Sequence, residues 1–205
     1  METFLLIIQG VGWTLVYLAI LYSLLKHKTC PIPYLALILN CIWEILYTID
    51  GMINGTFVKV QLIIHYVWAV LDTVIISLYF LNNLHLTSLK KKGSSIAYTI
   101  LSTIFGILYH AFFYLGIKGF LAAEYSAYLS NLIMSAVFIA ALYSDAIKKE
   151  QSVFIGLCKL VGTFSVGIVN GWINNNISIK VCVVIILILD LMYLSILIKR
   201  KAKKG

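Results

Sequence analysis

Long apolar runs separated by short polar clusters set the plan of this chain. Seven runs fall at about 4–25, 31–49, 60–81, 95–117, 122–143, 152–173 and 180–198. Each approaches the roughly 20 residues that carry an α-helix across the hydrocarbon core of a bilayer. A membrane β-barrel would show short segments of alternating polarity, which these runs lack. Inside a bilayer no water pairs with the backbone, so a spanning segment satisfies its own N–H and C=O groups by winding into a helix. The pattern predicts an all-α, polytopic membrane protein, a seven-transmembrane-helix bundle. A single domain covers 1–205, with short connections and no soluble domain.

Composition strengthens that reading. The 205 residues are 61% hydrophobic and 12% charged, with a mean hydropathy of +0.98, whereas a soluble domain is about one quarter charged. The first run opens Met1-Glu2 without a basic start, which reads as a retained helix instead of a cleaved signal peptide. Charge then orients the bundle. Lys26 and Lys28 follow helix 1, Lys90, Lys91 and Lys92 follow helix 3, and Lys148 and Lys149 follow helix 5. Lys199, Arg200, Lys201, Lys203 and Lys204 follow helix 7, so twelve of the sixteen basic residues gather on one face. The opposite face holds only Lys59, Lys118 and Lys180. The positive-inside rule then puts the N-terminus outside and the C-terminus in the cytoplasm.

Five cations just after a membrane helix read as a topology and anionic-lipid signal. No groove-reading motif accompanies the net charge of +8, so nucleic acid is not an expected partner. Cys30, Cys41, Cys158 and Cys182 form no CxxC pair and have no His at ligand spacing, so neither a metal site nor a disulfide framework is expected.

Against this background the polar residues within the runs stand out, because an ionisable group near the bilayer centre costs about 2.5–3.5 kcal/mol even on lenient scales. In helix 2, Asn40, Trp43, Glu44 and Tyr47 recur at i, i+3, i+4 and i+7, so one face presents an amide, an indole, a carboxyl and a phenol. Helix 3 repeats the device with Gln61, His65, Trp68 and Asp72. For Asp72 a purely structural interhelical hydrogen bond is as good a reading as a functional one. Helix 4 carries Tyr109, His110 and Tyr114, and a packed core histidine is the better reading of His110. Helix 5 aligns Tyr128, Asn131 and Ser135, and Asn131 needs partners in apolar surroundings. Glu124 stands at the outer start of that helix, where water solvates it. Lys159 lies one to two turns into helix 6, either snorkelling to the interface or serving as counter-ion to an acid. Asp190 is ten residues into the last run, ~15 Å deep at ~1.5 Å per residue.

Glu44, Asp72 and Asp190 are expected to converge on one dry pocket lined by Trp43, Tyr47, Trp68 and Tyr114, with His65, His110 and Lys159 as partners. A protonated acid beside an ionised one makes a general acid and a general base. Aromatic faces stabilise cations, and a site that excludes water suits carbocation chemistry.

The run Asn40-Cys41-Ile42-Trp43-Glu44-Ile45-Leu46-Tyr47, the Trp68 to Asp72 pair, the stretch Tyr128-Leu129-Ser130-Asn131-Leu132-Ile133-Met134-Ser135 and the late Asp190 carry a family likeness. Together they resemble the small integral membrane terpene cyclases of fungal meroterpenoid and indole-diterpene pathways and their bacterial relatives. The resemblance covers nearly the whole chain in length, helix layout and motif order. It implies a cyclase needing neither metal nor cofactor. Such an enzyme protonates a terminal epoxide or alkene of a lipophilic polyprenyl substrate, lets the cation run through successive double bonds, and ends by losing a proton. On that resemblance Glu44 is the proton donor, and Asp190 tunes that proton or takes part in proton removal. Asp72, Trp43, Trp68, Tyr47 and Asn131 would position substrate and acids, supported by Asn40, His65, His110 and Lys159. The soluble-cyclase signatures DxDD and DDxxD are absent, and the outer loops are very short. The head group of the substrate and the choice between epoxide and alkene stay open.

A proton-coupled small-solute transporter is the alternative, since buried acids and histidines also build proton relays. A retinal-type sensor is disfavoured, because the apolar run of helix 7 has no lysine for a Schiff base. The orientation is directly testable. In intact cells a protease-cleavable tag before Met1 is expected to be cut from outside, and one after Gly205 only once the membrane is opened. The reverse pattern would overturn the charge argument.

Overall fold

Each apolar run winds into a helix, and local chemistry sets where each one stops. The computed structural model describes residues 1–86, 89–117, 119–143 and 151–203, and the side chains of 1–82, 96–117, 119–143 and 151–203. Lys118, Lys148, Lys149 and Lys204, and the side chains of Lys90, Lys91 and Lys92, lie outside that description. The described residues form seven α-helices and no strand: α1 (Glu2–Lys26), α2 (Tyr34–Asn54), α3 (Lys59–Leu86), α4 (Leu89–Gly116), α5 (Phe120–Ala141), α6 (Val153–Gly167) and α7 (Ile177–Ala202).

Both prolines precede α2 instead of opening it, because Pro33 is its extended N-cap and a proline pushes the residue before it away from helical geometry. The helix continues one turn past Asp50-Gly51 and stops where Gly55 adopts the left-handed conformation at φ 67°. Ser152 and Asn176 cap α6 and α7, their side-chain oxygens accepting from the N–H groups of Ile155 and Ile179. The end of α6 loosens into a π-helix over Ile168–Ile173, a winding often found at functional sites.

Among the described residues, six helices are long and apolar enough to cross a membrane. α5 spans 22 residues but is diluted by Glu124, Ser126, Ser130, Asn131 and Ser135. Most of these polar residues are buried, while large apolar side chains such as Ile7, Val11, Leu101, Leu115 and Leu191 are exposed. The bundle is polar inside and apolar outside, as a bilayer demands.

The helices close into a ring in which α1, α3, α2, α4, α5, α7 and α6 follow one another and α6 returns to α1, while α2 also packs across on α5. α2 and α3 are neighbours, and α7 touches neither of them among the described residues. Consecutive helices reverse direction, so α1, α3, α5 and α7 begin at one end, here the N-terminal end. Away from it, Ile20, Leu24, Leu37, Ile75, Phe138, Leu194 and Leu197 form the largest apolar core.

At the α1–α6 contact a glycine faces backbone atoms directly. A Cβ on Gly12 would stand 2.9 Å from the Cys158 carbonyl oxygen and 3.0 Å from Gly162 Cα, and one on Gly162 would meet Trp13 Cδ1 at 2.9 Å. Backbone atoms cannot rotate aside, so only glycine permits this approach. Gly12→Leu is therefore expected to lose about 1–3 kcal/mol, seen as a lower thermal unfolding midpoint in detergent. Gly116→Ala, with nothing within 4 Å of its Cβ, is the near-neutral control.

Candidate active site

The short connection between α2 and α3 sets their polar faces against each other. Glu44 is only 4% exposed, and a buried carboxyl needs a partner. That partner is His65, whose Nδ1 lies 2.9 Å from Glu44 Oε2. The imidazole is held among rings, with centroids 5.1 Å from Trp43, 4.8 Å from Phe57 and 5.6 Å from Trp68. Both indoles are anchored by their own N–H. Trp43 donates to the Ala123 carbonyl at 3.0 Å and to Ser126 Oγ at 3.1 Å, and Trp68 donates to Thr14 Oγ1 at 3.1 Å. Tyr47 stacks behind Trp43 and accepts from Ser126 Oγ. His65 Nε2 is buried without a hydrogen-bond partner.

These groups border a cavity of about 100 Å³ in the N-terminal half of the bundle. Asn40, Trp43, Glu44, Phe57, His65 and Trp68 come from the α2–α3 side, and Glu124, Tyr128, Asn131 and Asn170 come from α5 and the π turn. Glu124 is the correction here. It is 7% exposed, not solvated, and its carboxylate accepts from Asn176 Nδ2 at 3.4 Å. It is the second carboxyl of the cavity that holds Glu44. Its spacing with Tyr128 and Asn131, at i, i+4 and i+7, was the available signal. Asn170 follows Thr163 and Val166 at i, i+3 and i+7 along the same cavity wall, so helical periodicity carried its signal as well.

The other two acids of the expected constellation have separate partners. Asp72 Oδ2 accepts from the Tyr17 hydroxyl at 3.0 Å and from Asn40 Nδ2 at 2.8 Å, and Asn40 also reaches the Tyr17 oxygen at 2.5 Å. Asp72 borders a separate, smaller space of about 20 Å³. The Nζ of Lys159 donates at 2.8 Å to both carboxylate oxygens of Asp190 and at 2.8 Å to Ser135 Oγ. At 2% exposure, Lys159 does not snorkel and serves as the counter-ion of Asp190.

Asp190 does not border the cavity of Glu44, because α7 packs on α5 and α6 and not on α2 or α3. It instead lies beneath it. Asn131 and Thr163 border the cavity, with Thr163 Oγ1 donating to Asn131 Oδ1 at 3.4 Å. Ser135 and Lys159 lie one turn further along the same two helices. His110 also stands apart, its Nε2 2.9 Å from the Leu39 carbonyl oxygen, where it joins α4 to α2. The Tyr114 hydroxyl donates to Asp50 Oδ1 at 3.1 Å, and Asp50 also accepts from Asn54 and Thr56. Among the described residues, no group of three or more His, Cys, Asp or Glu is placed to hold a metal ion.

Fold and site together define a multi-pass membrane protein whose interior encloses an aromatic cavity bearing carboxyl groups. The family model of Pyr4-like transmembrane terpene cyclases matches residues 1–203, and the chain belongs to that family. It is accordingly an integral membrane protein of the terpene cyclase class, acting on a lipophilic substrate. No curated protein and no solved structure matches the chain.

Removing one member of a buried ion pair strands the other charge, at a cost of about 3–5 kcal/mol. Asp190→Leu alone is therefore expected to lower the detergent unfolding midpoint strongly, and Asp190→Leu combined with Lys159→Met is expected to recover much of the loss. A double variant no more stable than the single one would show that the pair is not the reason for the loss.

Proposed function

We propose that the chain is a metal-independent cyclase with seven membrane passes, its N-terminus outside and its C-terminus in the cytoplasm. In this reading Glu44 starts the reaction by protonating the terminal epoxide or alkene of a polyprenyl chain. What carries it is the 2.9 Å contact between Glu44 and His65 on the wall of a cavity faced by Trp43, Phe57 and Trp68. The transferred proton leaves the carboxyl oxygen turned toward the cavity, and the Nδ1–H of His65 meets the anion forming on Glu44 Oε2. A hydrogen bond aimed at developing charge lowers the barrier without later reorganisation.

With an alkene, the π pair becomes a C–H bond at the less substituted carbon and leaves a tertiary carbocation; with an epoxide, the proton bonds to oxygen and the C–O bond at the more substituted carbon breaks, leaving a hydroxyl and a tertiary carbocation. Each ring closure then exchanges a C=C π bond for a C–C σ bond and moves the charge along the chain. Loss of a C–H proton to a base ends the sequence. Indole faces attract a cation by about 2 kcal/mol or more when water is excluded, and the anchored N–H groups of Trp43 and Trp68 keep those faces in place.

The remaining residues have positioning roles. Tyr47 backs Trp43, while Asp72, Tyr17 and Asn40 tie α3, α1 and α2 together behind the acid. Asp190 acts through Lys159 by holding the layer beneath Asn131, and His110 fixes α4 on α2. Glu124, Tyr128, Asn131 and Asn170 form the polar wall of the cavity, opposite the aromatic one.

In membranes supplied with farnesylated or geranylgeranylated aromatic substrates, epoxidised or not, Glu44→Gln is expected to abolish ring formation while the protein still accumulates. His65→Ala is expected to lower kcat by about a hundredfold with little change in KM. Unchanged turnover by Glu44→Gln, or solute flux into proteoliposomes without any cyclised product, would sink this reading.

A further inference from the structure

We propose that a recess between the N-terminal halves of α1 and α3 is the lateral entrance through which the polyprenyl chain passes from the bilayer to Glu44, an inference that rests on the function proposed above. Size raises the question. The cavity at Glu44 holds about 100 Å³, and an apolar cavity of about 150 Å³ holds a single benzene. A chain of several isoprene units therefore needs more room than the acid's own cavity offers. The recess supplies about 580 Å³, within the roughly 300–1,000 Å³ of small-molecule sites.

Its chemistry changes from outside to inside. Ile7, Val11 and Val60 form the outer walls and are 59%, 55% and 70% exposed, which matches a hydrocarbon arriving from hydrocarbon. At the inner end Gln9, Gln61, His65 and Trp68 border both the recess and the cavity of Glu44. The two spaces thus adjoin across these four side chains, one of them the imidazole that holds the proposed proton donor. Amides and an imidazole have no place on a surface made only to face lipid, where each lacks a partner. Trp68 is pinned at the junction by Thr14, whose hydroxyl in turn donates to the Gly10 carbonyl oxygen at 2.7 Å. Gly10 itself keeps the recess open. A Cβ there would have Ile64 Cδ1 at 3.9 Å, so a larger side chain would occupy the space. The occupant is a polyprenyl chain with its terminal isoprene leading, because that is the group Glu44 must reach.

Gly10→Leu and Ile64→Trp narrow the recess from positions that line it but do not line the cavity of Glu44. Each is expected to raise KM about tenfold while kcat stays within about twofold, the signature of lost substrate binding. Ile188→Trp, on an exposed position of α7, is expected to leave both constants unchanged. A second measurement uses the unaltered protein in phosphatidylcholine vesicles with a farnesylated phenol carrying a diazirine on the isoprene next to the phenol, the part of the chain that trails in the recess when the terminal isoprene is at Glu44. Adducts are expected on α1 and α3 and to be displaced by the unmodified farnesylated phenol. Wild-type KM in both narrowing variants, adducts confined to other helices, or adducts insensitive to that competitor would each overturn the entrance. The two readings fail separately. Wild-type KM alongside an inactive Glu44→Gln removes the entrance alone, whereas specific adducts in a protein that forms no rings remove the proposed reaction alone.

Discussion

A polar side chain inside a bilayer has no water to fall back on, and that constraint organises this molecule more than any apolar contact. Each of the acids Glu44, Asp72 and Asp190 has taken a partner from another helix. Glu44 on α2 meets His65 on α3, Asp72 on α3 meets Tyr17 on α1 and Asn40 on α2, and Asp190 on α7 meets Lys159 on α6, which also reaches Ser135 on α5. Apolar side chains pack nearly as well on lipid as on one another, so burial alone selects few helix pairings in a membrane. These pairings are specific because a stranded charge is so costly.

The partnerships separate the bundle into layers. Near the N-terminal end, the Glu44–His65 pair faces open space, with rings on one side and Glu124, Tyr128 and Asn131 on the other. One turn beneath lies the Lys159–Asp190–Ser135 cluster, in which the ammonium has an acceptor on each of two neighbouring helices. The first layer leaves His65 Nε2 without a partner, and the second leaves no donor of Lys159 idle. A site meant to act on something else keeps capacity in reserve, whereas a structural pair uses its capacity up. That difference is why the proposed chemistry rests on Glu44, with Asp190 given a supporting role.

Close approach of α1 and α6 at Gly12 and Gly162 complements these polar ties. It sets Trp13 against the cavity and leaves the other flank of α1, toward α3, loosely filled. The tight flank and the open flank of one helix together give the cavity a closed back and a side facing the bilayer.

Much of this was written in the sequence. Unbroken apolar runs dictate helices wherever water is absent, and the positions of Asn40, Trp43 and Glu44 on α2, and of His65, Trp68 and Asp72 on α3, follow from helical periodicity alone. Those side chains are polar residues on one stripe of an otherwise apolar surface, so the stripe must face inward. Periodicity describes one helix at a time, however, and says nothing of which stripe meets which. Only the tertiary structure decided that His65 answers Glu44 while Lys159 answers Asp190, and that the stripes of Glu124 and of Asn170 meet at the cavity of Glu44. The reason is the order of helices around the ring. α7 is packed against α5 and α6, beyond the reach of α2 and α3, and three acids that look alike along the chain are thereby sent to three different partners.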